Sequence, residues 1–275
     1  MINYSMQKNP VRLSIFLGSI IAWLLYGCQS TVRQDSPADV SAGVPNQPDA
    51  AGFVAIFDGE TLEGWEGDTT LWRAENGSII GEILPGNALA SNSFLIWQGG
   101  QPANFELKTD FRITESGNSG INYRSEQIDT IPYALRGYQA DIDGKNTYTG
   151  QNYEERKRTT LAYRGEQATV GSQPNPGEPG ALRANVKNNA WNNRQITASL
   201  GASDSLQALI HPEDWNECHL VVRGNRLQHF VNGVLMSEVI DQDTVNRRMA
   251  GLLGVQVHMG PPMRVEYQNI RLKEL

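Results

Sequence analysis

Short segments in which apolar and polar residues alternate run through most of this chain. The clearest is residues 105–113 (FELKTDFRI), where every second position is apolar or Thr and the positions between are charged. This two-residue period is typical of a strand with one buried face. Shorter strand-like runs occur at residues 53–57, 71–74, 78–82, 94–97, 121–124, 138–143, 161–164, 219–223, 227–231, 253–258 and 265–272.

Turn residues separate many of these runs. Asn76-Gly77 and Asn232-Gly233 are strong hairpin signals, because both central positions of that turn favour positive φ. No long stretch shows the helical period. Many short strands joined by turns over about 220 residues predict an all-β protein, a two-sheet antiparallel sandwich or jelly roll.

Residues 171–214 differ from the rest, since they are rich in Gly, Pro, Asn and Ser and contain an isolated Trp191. The composition predicts long loops with a few extra strands. Loops of this length in a compact domain tend to be functional or mobile.

The first 27 residues have the pattern of a secretory signal. Lys8 and Arg12 precede residues 13–26 (LSIFLGSIIAWLLY), an uncharged apolar run too short to span a bilayer comfortably. The run ends at Leu25-Tyr26-Gly27-Cys28, which resembles a bacterial lipobox, although Tyr26 is larger than usual there. We expect cleavage before Cys28 and its lipidation; an anchor helix or a plain signal peptide is the alternative.

The segment from Cys28 to residue 51 is rich in Ser, Pro, Ala and Asp without periodicity, and it predicts a flexible tether. The sandwich domain is expected at residues 52–275. A lipid anchor alone would hold this domain to the membrane, on the outer-membrane or periplasmic side of a Gram-negative envelope. The sequence does not determine the oligomeric state.

Charge and cysteine content exclude several classes of protein. The net charge is −7, and without residues 1–27 there are 21 basic against 30 acidic residues, which gives −9. A chain this acidic is a poor general binder of nucleic acid. Two cysteines exclude a disulfide-rich scaffold and a four-cysteine zinc site.

The alternation also places several polar and titratable side chains on the same face of three predicted strands. That side carries Asn122 and Arg124, then Gln139, Asp141 and Asp143, then Gln256 and His258. If the strands are neighbours in one curved sheet, these groups form a groove able to bind hydroxyls and move protons. An ordinary solvated sheet face is the alternative.

His258 ends its strand just before the turn at residues 260–262, and histidine is a general base near neutral pH. The four histidines lack the spacing of a zinc motif, and Asp141-Ile142-Asp143-Gly144 matches a calcium loop only loosely. The sequence therefore assigns no metal ligands and no cofactor, and it leaves a need for a divalent cation such as calcium open.

Several blocks together resemble the 3-keto-disaccharide hydrolase domain family. The opening block is residues 53–65 (FVAIFDGETLEGW). Others follow in the family's order over about residues 52–275: Trp72 with Glu75-Asn76-Gly77, then residues 105–107, 117–121, 123–125, 137–141, 215–216, 224–226, 231–233, 258–263 and 269–273. The resemblance implies a concanavalin-like or laminin-G-like sandwich, often secreted as a bacterial lipoprotein.

The resemblance also implies a reaction, the cleavage of glycosides already oxidised to a ketone at sugar C3. That ketone acidifies the C2 proton, so a base can start β-elimination of the C1 oxygen, and water then adds. On this basis we expect His258 to be the base, Arg124 to stabilise the enolate, and Asp141 or Glu154 to be the acid. Arg124 is alternatively a structural partner of Asp141.

Further residues are expected to contact the sugar. Asn118, Gln139, Gln256 and Asp143 would bind hydroxyls, although the glycines flanking Asn118 also make it a candidate turn residue. Rings that could stack on the sugar are Tyr123, Tyr138, Trp97 and Trp191.

One departure from the family pattern is a basic segment, Arg156-Lys157-Arg158, in place of a Gly-rich stretch. It suggests an altered substrate preference. The main alternative to an enzyme is a lipid-tethered, non-catalytic carbohydrate-binding module at the cell surface, because this kind of sandwich does not fix a function. An adhesion domain that uses residues 171–214 is a third possibility.

Overall fold

A computed structural model describes residues 47–275; the predicted signal segment, Cys28 and most of the predicted tether lie outside that range. The described chain is built from short strands and two one-turn helices. The elements in chain order are β1 (Val54–Ala55), β2 (Trp65–Glu66), β3 (Trp72–Glu75), β4 (Ser78–Ile83), β5 (Ser93–Trp97), β6 (Phe105–Ile113), β7 (Asn118–Gln127), β8 (Leu135–Asp143), β9 (Asn152–Glu155), β10 (Thr159–Ala162), β11 (Glu166–Val170), α1 (Ala181–Ala184), β12 (Val186–Lys187), β13 (Ala190–Trp191), β14 (Arg194–Ser199), α2 (Ser203–Gln207), β15 (Asn216–Arg223), β16 (Arg226–Val231), β17 (Val234–Asp241), β18 (Leu252–Val257) and β19 (Met263–Glu274). No helix within residues 47–275 has the length and apolar character needed to cross a bilayer.

The strands form two sheets, which confirms the predicted all-β sandwich. The first sheet has the order β14-β11-β17-β16-β15-β6-β19-β4-β3, and β1 pairs in addition with the end of β19, at Arg271 and Leu272. The second sheet has the order β12-β13-β10-β9-β8-β7-β18-β5-β2. Two pairs, β10–β13 and β11–β17, are parallel, so the sheets are mixed rather than purely antiparallel.

The apolar faces of the two sheets pack against each other. Along β6 burial alternates at every residue, as the sequence pattern predicts. Phe105 of the first sheet meets Tyr123 of the second edge to face, with ring centroids 6.0 Å apart. The alternating positions therefore supply the interior of the sandwich.

Both predicted hairpin turns are present. Asn76 and Gly77 have φ of 52° and 80° between β3 and β4, and Asn232 and Gly233 have 50° and 77° between β16 and β17. Positive φ at both positions matches the twist of the flanking strands.

Residues 171–214 contain regular secondary structure as well as loops. They carry both short helices and β12, β13 and β14. Trp191 is only 2% exposed, and its indole N–H donates to the carbonyl of Gly171 at 2.8 Å. The expectation that Trp191 stacks on a sugar ring is therefore wrong, because Trp191 is packed in the hydrophobic core.

Candidate active site

The three strands predicted to share a polar face are neighbours in the second sheet. β7 pairs with β8 on one side and with β18 on the other, and β9 adds to the far edge of β8. Cross-strand partners on the outer face include Asn122 with Gln139, and Gln139 with Tyr153. The outer face of these four strands is thus the floor of a common site.

A pocket of about 150 Å³ lies on this floor. It collects polar side chains from β7, β8 and β9, from the residue directly after β18, and from irregular segments nearby. Its lining consists of Asn118, Gln139, Asp141, Tyr148, Gln151, Tyr153, Glu155, Asn189 and His258. Four residues expected at the site, Asn118, Gln139, Asp141 and His258, therefore come together here, and Asn118 is the first residue of β7 rather than part of a turn.

Asp141 is held by two side-chain amides. Gln139 Nε2 donates to its Oδ1 at 2.7 Å, and Gln151 Nε2 donates to its Oδ2. Burial raises the pKa of Asp141 to about 8, against the effect of the two amides, and the nearby carboxylate of Glu155 raises it further. Asp141 thus carries a proton at neutral pH more readily than a solvated aspartate.

Close packing beneath the pocket depends on Gly120. A Cβ at this position would lie 2.6 Å from Cγ of Gln139, so a larger residue would displace the amide that holds Asp141. Gln256, which is fully buried, donates from Nε2 to Gln139 Oε1 at 3.2 Å. Gln256 therefore orients Gln139 from below, where it has no access to a sugar hydroxyl.

His258 follows the last residue of β18, and its backbone N–H donates to the carbonyl of Asn118 at 3.1 Å. Its Nδ1 lies 2.6 Å from the carbonyl of Met259. A carbonyl only accepts, so Nδ1 carries a proton, and in the neutral imidazole Nε2 then has the lone pair. Burial lowers the pKa of His258, and the charge of Arg156 lowers it further. The lowered pKa favours the neutral imidazole.

Glu155 is a pocket residue that the sequence analysis missed. It is 7% exposed, accepts from Asn92 Nδ2 at 3.0 Å, and has its pKa raised by burial. Tyr153 and Glu155 share the outer face of β9, and alternation along this short strand is the signal that could have found them. Tyr148, Gln151 and Asn189 lie in irregular segments, where no such signal exists.

Glu154 faces the opposite way and lies outside the pocket, so its expected role as the acid has no support in the geometry. It is fully buried and pairs with Arg158, whose Nε lies 2.5 Å from Glu154 Oε2. Neighbouring positions of a strand point to opposite faces, and Glu154 belongs to the inner one.

Arg124 also lies away from the pocket. It has a φ of 45° and lies where the β7–β8 register shifts between Tyr123 and Glu126. Its guanidinium donates to the carbonyls of Ala103, Gly224 and Arg248, at 2.9, 2.7 and 3.3 Å. Arg124 is therefore neither positioned to stabilise an enolate in this pocket nor a partner of Asp141.

Asp143 shapes a turn instead of binding a sugar. Its carboxylate accepts from the backbone N–H groups of Thr147, Tyr148 and Thr149, at 3.1, 2.7 and 2.9 Å. All of its described bonds are internal to the segment that carries Tyr148 to the pocket.

The expected aromatic platforms are not at the pocket either. Tyr123 and Tyr138 are at most 1% exposed and stack on each other inside the sandwich, with ring centroids 5.5 Å apart. Trp97 pairs across strands with Trp65, away from the pocket lining. Tyr148 and Tyr153 are the rings that line it.

A second, larger cleft of about 550 Å³ adjoins the pocket. The two cavities share Tyr153, Glu155, Asn189 and His258. The rest of the cleft is lined by Asn92, Arg156, Lys157, Thr159, Leu182, Arg183 and Met259. Among residues 47–275, no three His, Cys, Asp or Glu side chains gather as a set of metal ligands.

Comparison with known proteins finds a curated relative over part of the chain. A curated relative, 3-keto-disaccharide hydrolase of Bacteroides thetaiotaomicron, is 32% identical over 94 residues, which are 29% of this chain and 30% of that protein. The match thus spans less than a third of the relative's length.

Among solved structures, carbohydrate-binding module CBM66 from Bacillus subtilis is similar with a TM-score of 0.46 and 14% identity, over 77% of this chain and 96% of that one. A Bacillus subtilis protein of unknown function with a galectin-like fold is similar with a TM-score of 0.47 and 10% identity, over 78% and 90%. The model of a family described as the 3-keto-alpha-glucoside-1,2-lyase-like domain matches residues 52–273. The chain therefore belongs to this carbohydrate-active family, which the blocks of its sequence resemble.

Proposed function

We propose that this protein cleaves the glycosidic bond of 3-keto-glycosides by removing the C2 proton, eliminating the C1 substituent and adding water to the product. One observation carries the proposal: a neutral histidine and a carboxyl group with a raised pKa line the same small pocket. These are the protonation states that a base and an acid need at the same pH.

The base in this scheme is Nε2 of His258. Because Nδ1–H is engaged with the carbonyl of Met259, the imidazole is fixed as the tautomer whose Nε2 accepts a proton. When Nε2 takes the C2 proton, the electron pair of the C–H bond moves toward the C3 ketone and gives an enolate.

Donors to the enolate oxygen come from the pocket lining instead of Arg124. Burial raises the pKa of Tyr153, so its hydroxyl keeps its proton and can donate. The side-chain amide of Asn118 also lines the pocket. Donors already in place where charge develops lower the barrier most effectively.

Asp141 is the acid. As the C3 carbonyl re-forms, a C1–C2 double bond forms and the C1–O bond breaks, and Asp141 gives its proton to the departing oxygen. Water then adds across the double bond to complete hydrolysis. Gln139 and Gln151 hold Asp141. Glu155 lines the same pocket and would accept from the remaining hydroxyls.

The experiment offers the purified protein a 3-keto-α-glucoside and its unoxidised parent. We expect release of the leaving group from the keto compound only, and slower release when C2 carries deuterium. Ultraviolet absorbance would follow the conjugated ketone that elimination produces. Release from both compounds would mean an ordinary glycosidase, and saturable glycan binding without release would favour the carbohydrate-binding module.

Substitution of the base gives a prediction for the same assay. His258→Ala should lower kcat/KM by about 10²–10⁴-fold, the usual contribution of general base catalysis, with the unfolding midpoint kept. His211→Ala is the matched control, because His211 is exposed and absent from the pocket lining. Wild-type turnover in His258→Ala would remove His258 from the mechanism.

A further inference from the structure

The larger cleft beside the pocket has a basic lining in an acidic protein. Three cationic residues, Arg156, Lys157 and Arg183, line it, and Glu155 is the single acidic residue in that lining. The whole chain carries a net charge of −7, so this local excess of positive charge is not a general property of the surface. Clefts lined by one sign of charge concentrate ligands of the opposite sign.

The three cationic side chains differ in how closely a carboxylate or a carbonyl of the protein already contacts them. Lys157 Nζ lies 3.5 Å from Glu154 Oε1 and donates to the carbonyl of Asn246. Arg156 has only a long contact, 3.5 Å from its Nε to Glu155 Oε1. Arg183, exposed on α1, has no carboxylate within 4 Å in the part of the chain that the structure describes. Arg156 and Arg183 are therefore the two available for a ligand.

The turn between β9 and β10 fixes where Arg156 stands. Glu154 pairs with Thr159 across the two strands, and Arg156 adopts a φ of 56° within the turn that joins them. A non-glycine residue at positive φ is uncommon, and the surrounding contacts must hold it there. Arg158 in the same turn is anchored by Glu154, so the turn is tied to the sandwich interior.

The cleft is continuous with the proposed reaction centre. Glu155, Tyr153 and His258 form part of both cavities, so a molecule in the pocket can extend past His258 into the cleft. With the oxidised ring beside Asp141 and His258, the larger cleft is the space left for the leaving group. Leu182 and Met259 give it an apolar surface beside the arginines.

We infer that this cleft selects 3-keto-glycosides whose leaving group carries an anion, a carboxylate or a sulfate, held by Arg156 and Arg183. The inference rests on the proposed function and names its substrate class. Arginine suits this role, since its planar fork presents paired donors that match the oxygens of a carboxylate or sulfate.

The test compares three 3-keto-α-glucosides, with 4-carboxyphenyl, 4-(sulfooxy)phenyl and neutral 4-carbamoylphenyl leaving groups. The measured quantity is the ratio of kcat/KM for each anionic compound to that for the neutral one. In Arg183→Gln we expect this ratio to fall roughly fivefold, the size of effect expected when one partly exposed, charge-assisted hydrogen bond is lost. In the double variant Arg156→Gln/Arg183→Gln the ratio should fall further. Comparing ratios between variants cancels the different chemical reactivity of the leaving groups.

Arg223→Gln is the charge-matched control, because Arg223 is 62% exposed on β15 in the other sheet, and its ratio should equal that of the wild type. A fall with only one of the two anions would identify which anion the cleft takes. Turnover of all three compounds with no change of ratio in Arg183→Gln and in the double variant would overturn this inference alone. Absence of turnover with all three would overturn the proposed function and this inference with it.

Discussion

At the scale of the residue, the site depends on environments that move two pKa values in opposite directions from their ordinary values. Burial lowers the pKa of His258 and raises that of Asp141, so the neutral form of each is favoured. A side chain's type gives its range of chemistry, and its surroundings select the protonation state within that range.

These shifts predict the pH dependence of kcat/KM for a 3-keto-glucoside. Activity should fall at acidic pH only below the ordinary histidine value of 6.5, where His258 becomes protonated, and at alkaline pH near 8, where Asp141 loses its proton. Asp141→Asn should lower the rate and remove the alkaline limb. The measurement is kcat/KM against pH for both proteins, with Gln167→Asn as a control outside the pocket lining. An unchanged alkaline limb in Asp141→Asn would assign that limb to another group.

At the scale of the element, one irregularity in β7 decides what the strand presents. Alternation predicts Asn122 on the outer face correctly. At the register shift that follows, Arg124 leaves the pattern and satisfies backbone carbonyls from three other segments. Bulges commonly redirect a side chain in this way.

This geometry predicts a structural effect of changing Arg124. Arg124→Met should lower the free energy of unfolding by about 3 kcal/mol, since the carbonyls of three distant segments lose the buried guanidinium that joins them. Turnover per folded molecule should stay near wild type, because Arg124 is remote from the pocket. Urea denaturation and the keto-glucoside assay check both parts.

Arg136→Met is the control for that experiment: Arg136 is 45% exposed and its pair with Glu126 should contribute less than about 1 kcal/mol. Full stability of Arg124→Met combined with lost turnover would restore the catalytic role that the sequence suggested for Arg124.

At the scale of the whole molecule, a buried ionic network joins the two sheets beside the apolar core. Tyr138 of the second sheet donates to Asp241 Oδ2 of the first at 2.6 Å. Arg158 contacts Asp241 at 2.7 Å and Asp243 at 3.3 Å as well as Glu154. Strand β9 contributes to both the network and the pocket, because Glu154 belongs to the network and Glu155 lines the pocket.

Removing the cation of this network should destabilise the fold strongly. Arg158→Met should cost about 3–5 kcal/mol at neutral pH, because three buried carboxylates lose the cation that they share. Burial raises the pKa of Asp243, and Arg158 is one of the groups that hold it below its ordinary value. Without Arg158 the folded state should bind protons more readily, so the loss of stability should be larger at pH 8 than at pH 5.

Urea denaturation at pH 5 and pH 8 measures this, with Arg226→Met, an exposed residue 2.8 Å from Glu238, as the control. Equal losses of stability at the two pH values would show that the network does not hold its carboxylates by charge.

The sequence by itself determined the all-β architecture, the hairpins at Asn76-Gly77 and Asn232-Gly233, and the polar face that carries Gln139, Asp141 and His258. These follow from local rules, because side-chain alternation and turn conformation depend on adjacent residues. The family followed from the order of its blocks.

The tertiary structure alone decided which polar residues meet. Glu155, not Glu154, reaches the pocket, because pairing with β8 sets the parity of β9. An irregularity in β7 turns Arg124 away from the polar face, and Trp191 is packed in the hydrophobic core. Such outcomes depend on contacts between distant segments, and a one-residue change of parity or register sends a side chain to the other face of the sheet.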